Sequence, residues 1–309
     1  MKIGIQLAQL GRQAQPAAVR STARAAETLG YDSLWVMDRL LAPVEPRNPY
    51  PASSDGRLPV EQRTSLDPLA SLAFAAACTD RVRLGTSVLV APWYRPVALA
   101  RTLASIDVLS DGRLTVGFGI GWSVDEYDAL GVPQRRLAER QEELFDVLDA
   151  VWGPGPAEHR SSAVDLRPSN IGLRPVQQPR PPILLAAYTP AGLDRIARRA
   201  DGWTPAGVPV DALVPMWSMV RDAAAGYGRD PDSLQLVVRA NISLYERAIV
   251  GERASYYGNV EQVAEDLAAT EAAGADEVVL ALIGDVSLDA TLEAYATLVE
   301  ALRSNVVAA

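Results

Sequence analysis

Asp38 and Arg39 follow directly on the apolar run 33–37, a segment of strand length. In α/β proteins the carboxyl ends of strands are where side chains meet ligands. A carboxylate beside a guanidinium supplies one group that can titrate and one that cannot. Arg39 therefore orients a ligand or stabilises negative charge, and does not move a proton. Residues 40–64 then lose periodicity and carry Pro43, Pro46, Pro49, Pro51 and Pro59. Structureless segments of this length are uncommon in compact domains and often functional. Over the mouth of a barrel this one is a lid, setting Arg47, Tyr50, Arg57 and Glu61 against a substrate; the other reading is a passive surface loop.

A second chemical hint lies in residues 114–121. Leu114, Val116, Phe118 and Ile120 alternate with Thr115, Gly117, Gly119 and Gly121, so one face of this strand is bulky and the other almost bare. A bare face leaves room for a flat ligand, or for close approach of another backbone. The GFGIGW run at 117–122 is not a dinucleotide fingerprint, because its spacing is not G-x-G-x-x-G and it lies on the fourth strand. Backbone amides near Ser123 to Glu126, or at Ala187-Tyr188-Thr189-Pro190, sit at strand-to-helix junctions where an anion can bind. Either is equally an ordinary helix start. Thr86 and Ser87 are polar within an apolar strand, which suits a ligand, a bulge, or hydroxyls bonded to neighbouring backbone.

Composition narrows the classes. One histidine, His159, excludes a multi-histidine metal site and argues against a Ser-His-Asp mechanism; it reads as a surface residue. One cysteine, Cys78, excludes an internal disulfide, suits a reducing cytoplasm and reads as a small core residue. A net charge of −9 argues against nucleic-acid binding. No apolar run reaches 18 residues, and MKIGIQL reads as a strand, not a signal peptide, so a cytoplasmic protein away from membranes is expected.

The elements that must hold these residues alternate regularly. Strands are expected at 2–8, 33–37, 82–90, 114–120, 183–187, 202–204, 234–243 and 277–282, with amphipathic helices between them and a last helix carrying Leu288, Leu292, Tyr295, Val299 and Leu302 on one face. Eight strands in this rhythm predict a (β/α)8 TIM barrel with insertions after strands two and four. The second insertion, 153–181, reads as irregular.

The run RLGTSVLVAPWYRPVALARTLASIDVLSDGRLTVGFGIGW resembles the bacterial luciferase-like flavin and deazaflavin oxidoreductases, as do DSLWVMDR before it and PPILLAAYTPAGLDRIARRADGW after it. It is most similar to actinobacterial members that use coenzyme F-420, an 8-hydroxy-5-deazaflavin. The resemblance implies one barrel domain over residues 1–309, a homodimer through barrel helices, and hydride transfer between F-420 and a small organic substrate. It implies that Ser87 and Val88 form a bulged third strand whose non-prolyl cis peptide backs the ring, with Asp38 lining the ring site. By the same resemblance, Ile120, Gly121, Trp122 and Asp125 follow the cofactor's ribityl and phosphate portion, while Ala186, Ala187, Tyr188 and Thr189 touch it from the fifth strand. Two departures matter. Sugar-phosphate dehydrogenases of this family have a histidine where Arg39 stands and a glutamate proton donor where Trp122 stands, so that alcohol oxidation is not expected. Tyr50 and Glu61 become the candidates for proton transfer, beside Arg39. The alternatives are an FMN-dependent monooxygenase and a non-catalytic cofactor-binding barrel.

Overall fold

The computed structural model describes residues 1–51, 53 and 55–308, with side chains through residue 303; Ala52 and Ser54 of the 40–64 segment, and Ala309, lie outside the described residues. In chain order the elements are β1 (Lys2–Gln6), α1 (Pro16–Leu29), β2 (Ser33–Val36), α2 (Pro68–Ala76), β3 (Arg83–Val90), α3 (Pro96–Leu109), β4 (Leu114–Gly119), α4 (Val124–Ala129), α5 (Leu137–Trp152), β5 (Ala157–Arg160) and β6 (Asp165–Ser169). There follow β7 (Ile183–Leu185), α6 (Pro190–Arg199), β8 (Gly202–Trp203), α7 (Val210–Gly226), β9 (Gln235–Leu244), β10 (Tyr257–Gly258), α8 (Val260–Ala272), β11 (Glu277–Leu282) and α9 (Leu288–Ala308). Strands β1, β2, β3, β4, β7, β8, β9 and β11 pair in parallel and in that order. The β11–β1 pairing closes an eight-stranded barrel.

Local sequence explains the element ends. Asp67 caps α2 by accepting from Ala70 N at 2.7 Å, with Pro68 in the first helical position, where its missing N–H costs nothing. Asn259 and Gln262 form a reciprocal capping box on α8. Gly30 stops α1 in the left-handed region at φ 79°, a conformation that a Cβ disfavours.

Two structures differ from the sequence expectation. Residues 153–181 contain the antiparallel β5–β6 hairpin, whose short, charged strands carry little apolar alternation. This hairpin lies between α5 and β7 in the chain and packs against α5. His159, on β5, faces Glu143 of α5 there. The strand pair β9–β10 was also not legible, because two residues give no period.

The outer faces of the strands pack under the helices in one apolar cluster. Inside the barrel, Trp35, Leu184, Val237 and Val279 form a separate plug. Glu277 accepts from Trp35 Nε1 at 2.8 Å and from the Ser33 hydroxyl. The plug is the floor on which the mouth is built.

Candidate active site

The bare face of β4 is filled by β3. Register runs Thr86 with Val116 and then Leu89 with Phe118, so β3 has one residue more than β4 at this point. The Ser87–Val88 peptide within this bulge is cis. Thr86 Oγ1 donates to Gly117 O at 2.8 Å and accepts from Gly117 N at 2.9 Å, replacing ladder bonds that the bulge removes. A Cβ at Gly117 would stand 2.2 Å from Thr86 O, and one at Gly119 would stand 2.7 Å from Val88 Cγ2. The glycines thus make room for the bulge, and the half-buried Val88 side chain supplies the surface that the glycines lack. Close backbone approach, the second of the two sequence readings, accounts for Gly117.

Asp38 sits at the edge of this wall. Its Oδ2 accepts from Val90 N at 3.1 Å and from the Tyr94 hydroxyl at 2.8 Å, while its own N–H donates to Val88 O at 3.2 Å. Burial pushes the carboxyl from its ordinary 3.8 up to about 6, against the lowering effect of those two bonds; Asp67 and Glu126 add repulsion. The Tyr94 hydroxyl is driven the same way by burial and by Asp38, so it stays protonated and donates.

Arg39 points away from Asp38's bonds and into the α4 side of the mouth. It is 9% exposed, donates to Glu126 Oε2 at 2.8 Å and lies 5.2 Å over the Trp122 ring. Glu126 Oε1 also accepts from Leu40 N at 2.8 Å and Leu41 N at 3.3 Å. This buried pair fastens the start of the 40–64 segment to α4. Arg47 ion-pairs with Asp125 at 2.7 Å, and Asn48 accepts from Val124 N at 3.0 Å and donates to Trp122 O. Asp125 and the Val124 amide of α4 are therefore engaged by the segment above them. Tyr50 packs edge-on against Trp122 with centroids 5.3 Å apart, and its hydroxyl accepts from Gln62 Nε2 at 3.3 Å. Across the mouth, the buried Glu61 accepts from Gly284 N at 3.1 Å.

Ala186 stands beside Gly119, its Cβ 3.9 Å from where a Gly119 Cβ would lie. Tyr188 and Thr189 follow at the rim. The Thr189 oxygen caps α6 by accepting from Gly192 N, and the Tyr188 hydroxyl bridges the Ala206 carbonyl and amide. Both hydroxyls are thus used locally. Gly121 turns the chain at φ 65°, and the Tyr127 hydroxyl donates to Ile120 O to hold that turn.

One buried residue of the barrel interior was not singled out in the sequence. Arg239 projects from β9 into the barrel above the plug and is 8% exposed. Its Nε donates to Asn241 Oδ1 at 3.0 Å and its Nη2 to Gln6 Oε1, while Nη1 is buried with no partner. The available signal was an arginine at an inward position of an apolar strand, which alternation alone exposes. A cavity of about 110 Å³ opens above it, lined in part by Gln6, Tyr50, Glu61, Arg239, Asn241 and Tyr257. Among the described residues no cluster of metal ligands occurs, and no helix is long and apolar enough to cross a membrane.

These residues fit a flat aromatic cofactor. Val88, Gly119 and Ala186 make an apolar wall that a Cβ at residue 119 would spoil, and Asp38 offers a polar atom at its edge. Comparison with known proteins places the chain in a family. A family model described as luciferase-like monooxygenase matches residues 2–248. An uncharacterized protein of Mycobacterium tuberculosis is 34% identical over 275 residues, covering 87% of this chain and 95% of its own. Among solved structures, the monooxygenase RslO1 from Streptomyces bottropensis aligns with a TM-score of 0.80 at 22% identity, covering 99% of both chains. An F-420-dependent secondary alcohol dehydrogenase aligns with a TM-score of 0.77 at 17% identity, covering 98% of this chain and 99% of that one.

Proposed function

Because the chain belongs to the luciferase-like monooxygenase family, we propose that it is an oxidoreductase moving hydride between coenzyme F-420 and a small organic molecule held beneath the 40–64 segment. The observation that carries this reading is the wall at the barrel mouth, where the β3 bulge brings Val88 against Gly119, with Ala186 on the other side of that glycine and the Asp38 carboxyl at the edge. When bound, the deazaflavin supplies the hydride acceptor or donor. The chain does the rest. Val88 and Ala186 would support one face of the ring. Asp38 would hold its edge and, with a pKa near 6, could take up or release a proton there. Tyr50 and Trp122 cover the mouth and exclude water, while Tyr50 and Glu61 face the substrate cavity, where a proton is exchanged. Of these two, Tyr50 is the better placed donor, because its proton is not used in the bond from Gln62. Arg39, engaged by Glu126 and Trp122, is a positioning residue for the covering segment.

The likeness to the Streptomyces monooxygenase favours a second reading, FMN-dependent oxygenation in the same site. Titration of the purified protein with F-420 and, separately, with FMN decides between them. Binding of F-420 in preference is expected; preference for FMN replaces hydride transfer with oxygenation. Binding of neither overturns both and leaves a barrel without this chemistry.

A further inference from the structure

Arg239 stands out among the buried cations of this protein. Arg39, although its Nε is also unbonded, has Glu126 as its counter-charge, and the half-buried Arg113 is wrapped by backbone carbonyls and the Thr79 hydroxyl. Arg239 has neither arrangement. Two neutral amide oxygens, from Gln6 and Asn241, aim its guanidinium, and the Met37 sulfur lies at 3.9 Å. Among the described residues it makes no ion pair, although Glu61 lines the same cavity; the Glu61 carboxylate is turned instead to Gly284 N. One donor, Nη1, is buried and unbonded. A charge this deep is costly unless something neutralises it, and burial accordingly lowers its pKa.

We infer that Arg239 is a substrate-binding residue that receives the carboxylate of a small organic acid in the cavity above the barrel plug. A guanidinium presents paired N–H donors in the fork geometry that a carboxylate accepts. The amides of Gln6 and Asn241 fix that fork before a ligand arrives, so little ordering is lost on binding. Leu10, Ala281, Leu282 and Ile283 line the same space beside the Tyr50 and Tyr257 rings, so the rest of the acid is apolar or aromatic. The inference deepens the proposed function and rests on it only for calling the bound acid a substrate.

The test uses matched pairs of probes on the full chain: butyrate with butyramide, and benzoate with benzamide. Calorimetric titrations are run on the wild type, Arg239→Met and Arg239→Lys, with F-420 and FMN affinities measured on the same three proteins. The expected result is binding of at least one acid in preference to its amide by wild type. That affinity should fall roughly tenfold or more in Arg239→Met and recover in part in Arg239→Lys, while cofactor affinity stays within about threefold. Arg239-dependent binding of an acid with no binding of either cofactor leaves the anion site standing and removes the proposed oxidoreductase reading. Three results overturn the inference: no acid bound by wild type, acid and amide bound alike, or equal acid affinity in a folded Arg239→Met. Loss of cofactor affinity in Arg239→Met with acid binding intact also overturns it, by assigning the guanidinium to the cofactor.

Discussion

Replacing Asp38 with asparagine removes a charge that burial makes unfavourable. Asparagine keeps a side-chain oxygen that accepts from Val90 N and the Tyr94 hydroxyl, so the local bonds survive. The carboxyl titrates at about 6 in the folded protein against an ordinary 3.8. Its folded pKa is raised, so the stabilising form is the protonated one. That contribution is fully present below about pH 4 and is lost as pH rises through 6. A shift of about two units corresponds to on the order of 3 kcal/mol at pH 8. The variant is therefore expected to be more stable than wild type by up to about that amount at pH 8, and by almost nothing at pH 4. Urea unfolding of both proteins at pH 4, 6 and 8 measures the difference directly, the midpoints moving while the slopes stay equal. A difference independent of pH would refute the argument, since it would mean that the carboxyl is not held near neutral by its surroundings. So would a variant equally destabilised at pH 8 and pH 4.

Other outcomes follow from the same geometry. Glu126→Gln leaves Arg39 buried without its counter-charge and is expected to cost about 3 to 5 kcal/mol; the readout is urea unfolding, together with faster proteolysis within residues 40–64. The same change removes one repulsion from Asp38 and should lower its pKa, visible as a smaller pH dependence of the Asp38→Asn difference. Gly117→Ala drives a Cβ to within 2.2 Å of a backbone oxygen that cannot turn away, and should destabilise by about 1 to 3 kcal/mol or more in thermal melts. Gly119→Ala meets only the movable Val88 side chain, so it should melt closer to wild type yet weaken cofactor binding at the wall it crowds. Equal melting of the two alanine variants would count against the bulge as the reason for these glycines.

Much of this molecule is written in its sequence because the signals are local. The helix starts at Pro16, Pro68 and Pro190, the stop at Gly30 and the alternation along 114–119 each follow from backbone sterics or side-chain period within a few residues. The strand–helix alternation, repeated along the chain, made a (β/α)8 barrel legible. What the sequence could not supply was pairing across long separations. Asp38 owes its raised pKa to burial inside the closed barrel, while the bonds that moderate it come from Val90 and Tyr94, more than fifty residues away. Arg39 becomes a fastening because α4, many residues later, brings Glu126 beneath it. Thr86 reads as polar in an apolar strand until the bulge sets it against Gly117, whose two backbone groups it satisfies. Arg239 was an arginine in a strand; only closure of the barrel strips it of water and leaves Nη1 without a partner. Local propensity fixes which elements form, whereas desolvation and charge pairing depend on what closure brings together, and that is where the chemistry of this site resides.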